Sequence, residues 1–131
     1  SYFNDRNVLF SNDCVSEDSI KVSRNMLDTD IHVLENLRFH DAELSNLDKF
    51  SKKLSKHGDV YINEAFGTSH RMHASNSSIL NFFKIKGIGF LLDSELRYLL
   101  NLNLGVDTKL SILLGGAKVS SKLGILFKAV T

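Results

Sequence analysis

The sequence predicts an α/β fold in which a mostly parallel sheet is flanked by helices. Three observations predict it. Short β-prone apolar runs alternate with segments of helical periodicity, polar or glycine punctuation separates them, and the residues suited to chemistry follow the strands. In such a fold ligands gather at the carboxyl ends of the strands, where successive loops open and helix N-termini point.

Asn7-Val8-Leu9-Phe10 reads as a first strand, closed by the polar Ser11-Asn12-Asp13. Ser16 is placed to N-cap a helix over about Glu17–Leu27. Its hydroxyl can accept from an orphan backbone N–H, and Glu17 and Asp18 suit the positive first turn. Asp28-Thr29-Asp30 ends that helix, and Ile31-His32-Val33-Leu34 supplies a second strand, completing β–α–β. Leu47, Phe50 and Leu54 then fall at i, i+3 and i+7, with Lys49, Lys52, Lys53 and Lys56 on the solvated faces of a second helix that Gly58 closes. Val60-Tyr61-Ile62 reads as a buried strand, and the polar, histidine-rich stretch Asn63–Asn76 as a loop or broken helix. Leu92, Leu96, Leu99 and Leu100 mark a helix over about Asp93–Asn103, stopped by Gly105. Leu110–Leu114 is a further strand, Gly115-Gly116 a turn, and Val119, Leu123, Leu126, Phe127 and Val130 the apolar face of a last helix.

Composition narrows the function. The 131 residues, 43% hydrophobic and 24% charged, leave room for one domain with a real core. Sixteen Lys and Arg against 15 Asp and Glu give a net charge of +1, without the basic stripe of a nucleic-acid binder. No apolar run reaches the ~18–20 residues of a membrane helix, since Ile79–Leu92 is broken by Asn81, Lys84, Lys86 and two glycines. A soluble protein is expected, with no membrane partner. The segment Ser1–Arg6 lacks the pattern of a secretory signal, so a reducing cytoplasm is the expected compartment. Cys14, alone, forms no internal disulfide and no sulfur-rich zinc site, and reads as a buried small hydrophobe. The absence of proline and of an initiator methionine suggests an internal piece of a longer chain.

Three segments follow predicted strands: Glu35–His40, Asn63–His73 and Gly115–Lys122. The first two carry Arg38, Arg71, His70 and His73. Guanidinium groups present paired donors of fixed geometry, so two arginines on neighbouring loops can orient a compact organic acid or phosphate. Arg38 has an alternative, pairing with Glu35 or Glu43 on the surface. His70 and His73, at i and i+3, could share a helical face and bind metal, but no third ligand completes such a site. Met72 reads as packing, and His32, His40 and His57 as plain surface or core residues. The Gly115-Gly116-Ala117-Lys118 bend is not a Walker loop. It nevertheless lets backbone N–H groups approach a phosphate chain while Lys118 and Lys122 add charge; the alternative is a tight turn with two exposed lysines.

Taken in order, Leu34–His40, Gly58–Asn63 with Ala65–Thr68, His70-Arg71 with His73, and Leu114–Val119 with Lys122 resemble phosphoglycerate kinase over nearly the whole chain from Val8 onward. The resemblance implies a Rossmann-like three-layer sandwich from an incomplete two-domain kinase. Residues 1–92 would belong to the N-terminal glycerate-binding domain, 93–105 to an interdomain helix and 106–131 to the start of the nucleotide-binding domain. The implied activity is glycolytic phosphoryl transfer between 1,3-bisphosphoglycerate and ADP with Mg2+, giving 3-phosphoglycerate and ATP, in enzymes that are usually monomeric. On this resemblance Arg38, Arg71, His70 and His73 are substrate-binding residues, and Gly115, Gly116, Ala117, Lys118 and Lys122 contact nucleotide phosphates. Lys118 also matches the catalytic lysine that stabilises the group in flight; no residue is assigned to hold the metal. Family residues on both sides of the site have no counterpart here, so the chain alone is expected to be inactive. Glu64 stands where the family usually has Asp, and Ser69 where it usually has Ala. The competing class is a catalytically inactive remnant that serves as an interaction or structural module, with strand Leu110–Leu114 buried against a partner.

Overall fold

The computed structural model describes residues 6–100, and all but the last of these lie in one compact unit, Ser1–Leu99. Expectations for the 110–130 region, including Gly115, Gly116, Ala117, Lys118 and Lys122, fall outside the described residues. The element order begins with β1 (Val8–Ser11), α1 (Glu17–Arg24) and β2 (Ile31–Leu34), followed by a 3-10 turn over Leu37–Phe39. Next come α2 (Asp41–Leu44), α3 (Asp48–Leu54), a 3-10 turn over Ser55–His57, and β3 (Val60–Asn63). Two further 3-10 segments, Phe66–Thr68 and Ser78–Phe82, lead to β4 (Ile85–Ile88) and α4 (Phe90–Leu100).

Among the described residues the pairing is parallel, as βαβ connectivity requires. β1 pairs with β2 from Val8 opposite Ile31 to Ser11 opposite Leu34, and β3 pairs with β4 from Val60 opposite Ile85 to Asn63 opposite Ile88. The expected single sheet is, among the described residues, two separate two-stranded ladders.

Helix α1 starts where expected, because Ser16 Oγ accepts the Ser19 N–H at 3.1 Å. It ends at Arg24 rather than Leu27: the Asn25 N–H closes the last turn onto Lys21 and Val22, and the Leu27 N–H turns instead to the Asp30 carboxylate at 2.9 Å. In α3 the stripe is shorter than predicted. Phe50 and Leu54 are buried, but Leu47 is the N-cap residue and lies exposed. The helix itself ends at Leu54 with Ser55 as its C-cap, and Gly58 closes only the following 3-10 turn, in extended conformation with φ −158° and without the left-handed geometry of a glycine cap. The strand Val60–Asn63 is not buried throughout: Val60 and Ile62 face outward, and Tyr61 alone of the three turns inward. The core gathers Cys14, Phe50, Leu54, Ala74 and Ile79, with Leu34, Leu37, Tyr61 and Phe83 packed against it. Each large apolar side chain removed from water there contributes about 1.5–3 kcal/mol.

β4 matches no sequence expectation, because Lys84, Lys86, Gly87 and Gly89 break its apolar run. α4 begins at Phe90 rather than near Asp93, since the Glu64 carboxylate at the end of β3 accepts the Leu91 N–H at 2.7 Å. No helix among the described residues is long and apolar enough to cross a membrane.

Candidate active site

Two loops leave the carboxyl ends of β2 and β3. After β2, Asn36 N-caps the 3-10 turn, its Oδ1 accepting the Arg38 N–H at 3.0 Å. That short turn holds Arg38 on the surface. Both carboxylates that sequence offers Arg38 are engaged elsewhere. Glu35 accepts the Asn36 N–H at 2.6 Å, and Glu43 accepts from Ser75. Among the described residues Arg38 forms no ion pair.

After β3, Asn63 Oδ1 takes the Ala65 N–H at 2.9 Å and starts the Phe66–Thr68 turn. The Arg71 N–H then bonds back to the Thr68 carbonyl, and the Asn76 and Ser77 N–H groups both reach the His73 carbonyl. These turns, and not a helix, set the spacing of His70 and His73, so the two histidines share no helical face. Ala74 is fully buried and pins the loop to the core.

The two loops meet in a cleft of about 180 Å³ lined by Asn36, Arg38, Glu43, Thr68, His73 and Asn76, with Leu37 and Ser75 completing its wall. A cleft of that size has room for a small organic anion. Arg38 and His73 thus line one space. His70 and Arg71 are exposed on the same loop without lining the cleft, and Met72, expected as packing, is 70% exposed.

Glu43, absent from the sequence-derived set as a site residue, is 3% exposed at the cleft wall. Its Oε2 accepts the Ser75 N–H at 2.9 Å and its Oε1 the Ser75 hydroxyl at 2.6 Å, while His73 Nδ1 lies 3.9 Å from Oε1. A buried carboxylate requires such donors. Nearby, Tyr61 donates its hydroxyl to the Ser75 carbonyl at 2.8 Å, and burial, with Glu43 adding to it, raises the phenol above its ordinary range.

Other histidines also have partners that local sequence does not reveal. His32 and His57 both contact Ser23 Oγ through Nδ1 at 2.6 Å, and His40 packs on Phe50 with its ring tilted, at 5.2 Å between ring centres. Ligand atoms of Asp13, Cys14 and His40 lie within 4.8 Å of one another. Burial pushes the Cys14 thiol up to about 11, and Asp13 Oδ1 is committed to the Val15 and Ser16 N–H groups, which hold its carboxyl below the usual range. The trio is therefore a turn packed on the core, with Cys14 in the buried role expected for it.

The sequence matches the family profile described as phosphoglycerate kinase over residues 1–131. It is 40% identical over 121 residues to a phosphoglycerate kinase of Prochlorococcus marinus strain MIT 9312, covering 92% of this chain and 30% of that protein. It is 38% identical to the enzyme of the same name from Prosthecochloris aestuarii, covering 93% of this chain and 31% of that one. The crystal structure of phosphoglycerate kinase from Pyrococcus horikoshii OT3 superposes with a TM-score of 0.82 at 28% identity, over 94% of this chain and 32% of that one. The chain thus spans about 30% of the length of the curated relatives it matches. On its profile match, its relatives and its parallel α/β architecture, the chain belongs to the phosphoglycerate kinase family.

Proposed function

We propose that the cleft between Arg38 and His73 is the glycerate-side anion site of a phosphotransferase. The enzyme would move a phosphoryl group reversibly between 1,3-bisphosphoglycerate and ADP, yielding 3-phosphoglycerate and ATP in cytoplasmic glycolysis. One observation carries the reading. Two donor side chains from separate strand-end loops line a single cleft, and the guanidinium is free of carboxylate partners among the described residues. Arg38 is suited to paired hydrogen bonds with a carboxylate or phosphate, and His73 adds a donor from the opposite wall. Arg71 and His70, exposed on the same loop, extend the cationic surface that a three-carbon phosphate would meet.

Phosphoryl transfer needs positioning and charge stabilisation more than a covalent nucleophile. The role of this half of the site is to hold the glycerate in line. MgADP would be the second substrate, its phosphates met by Gly115, Gly116, Ala117 and Lys122, with Lys118 offsetting charge on the transferring oxygens. Loss of one such contact typically costs about 2.7–4 kcal/mol in barrier.

The reading is tested by titrating the chain with 3-phosphoglycerate. Weak, salt-sensitive binding is expected, lost in Arg38→Ala and in Arg71→Ala. No binding by the unaltered chain, together with stable association with another protein, would favour a non-catalytic remnant.

A further inference from the structure

We infer that Glu43 is the positioning residue that sets the distance between the two anion-binding loops, an inference that rests on the proposed glycerate site. β2, which leads into the Arg38 turn, and β3, which leads into the His73 loop, belong to different ladders, so no strand-to-strand hydrogen bond fixes one loop against the other among the described residues. Two of the bonds that shape these loops are internal to them. Asn36 holds Arg38, and Thr68 holds Asn76 through a 2.8 Å bond from the Asn76 amide. Neither bond spans the cleft.

Glu43 spans it. From α2, next to the Arg38 turn, its side chain takes the Ser75 N–H and hydroxyl, and its own carbonyl takes the Ala74 N–H at 2.9 Å. Among the described cleft residues it alone makes hydrogen bonds from the Arg38 side to the His73 side. Asn46 and Ser51 also join these halves, through Ser78 and Ala74, but neither lines the cleft. Both Glu43 oxygens are committed to donors, and His73 Nδ1 faces Oε1 at 3.9 Å, so the carboxylate both locates the His73 segment and presents a charge to its ring. This explains why a carboxylate stands in the wall of an anion cleft. Its charge is directed at Ser75 and His73 and not at the bound anion.

The test is a titration of the full chain with 3-phosphoglycerate, read by calorimetry and by the His73 ring proton resonances. The unaltered chain is expected to bind and to shift those resonances. Glu43→Gln should weaken binding about tenfold and diminish the His73 response, and the double variant with His73→Gln should bind no more weakly than His73→Gln alone. Unchanged affinity in Glu43→Gln, or an equal loss with and without His73, would overturn the inference, since general loosening of the fold predicts additivity. If Glu43→Gln does not fold, Ser75→Ala removes one bond while leaving the carboxylate in place. It should lose a few-fold in affinity with the same non-additivity, and wild-type affinity in it counts against Glu43. Absence of binding in the unaltered chain would instead reject the glycerate site itself.

Discussion

Asn46 has φ 54°, in the left-handed region that costs most L residues about 1–2 kcal/mol. Its side chain offsets that cost, because Oδ1 accepts the buried Ser78 N–H at 3.1 Å and ties the α2–α3 turn to the Ser78–Phe82 segment. Asn46→Ala should therefore lose both the tolerance and the bond, about 2 kcal/mol together, whereas Asn46→Gly loses only the bond, about 1 kcal/mol. Denaturation midpoints measure the difference, and equal midpoints for the two variants would contradict it. Glu43 and Asn46 share the reason their roles were illegible in the sequence. Each finds its partner 32 residues away, and no local pattern announces a contact at that separation. Arg38 and His73 could be nominated from sequence because a guanidinium or imidazole after a strand carries its own chemistry, and the structure brings both to one cleft. The side-chain exposure of Met72 was not, since a lone apolar residue in a loop says nothing of which way it turns.

Among the elements, β1, α1 and β2 are joined by a hydrogen-bonded chain of side chains as well as by their ladder. Ser11 Oγ meets His32 Nε2 at 2.8 Å, Ser23 Oγ meets both His32 and His57, and His57 Nε2 meets the Cys14 carbonyl at 2.9 Å. A carbonyl only accepts, so with both rings neutral the direction is fixed. His57 donates to Cys14 and accepts from Ser23, which accepts from His32, which accepts from Ser11. Burial first, and His57 second, hold His32 below the ordinary histidine range. The unfolded chain then binds more protons than the folded one in mildly acidic solution, so this contribution is present near neutral pH and is lost as pH falls below about 6.5. Chemical denaturation at pH 7.5 and 5.5 should show wild type losing more stability than His32→Leu, and parallel losses would disprove the linkage. The elements themselves were legible where their signals are local, as with Ser16 capping α1. They were misread where tertiary partners intervene. Glu64 starts α4 early by capping it across a gap, and the approach is so close that a Cβ on Gly89 would lie 1.7 Å from Glu64 Oε2. The pairing of β3 with β4 is likewise a long-range fact that periodicity does not carry.

For the molecule as a whole, alternation of strands and helices was enough to predict the α/β class, and ordered motifs were enough to predict the family. How the ladders divide was not legible, because β1 and β3 have similar compositions and either could be read as a neighbour of β2. The core resolves that ambiguity in physical terms. Cys14 from the first β–α connection, Phe50 and Leu54 from α3, and Ala74 and Ile79 from the β3–β4 connection pack into one cluster that joins both ladders. Cys14 is the chain's single sulfhydryl, is wholly enclosed, and has its ionisation pushed up to about 11. Alkylating reagents attack thiolate and need access, so this thiol becomes a clock for the core. Its labelling rate counts how often the two halves of the unit part, and that rate should quicken in Ser51→Ala, which removes a buried hydroxyl bonded to the Ala74 carbonyl and Ser78. Rapid labelling at the speed of a free thiol would mean that the enclosure does not persist in solution.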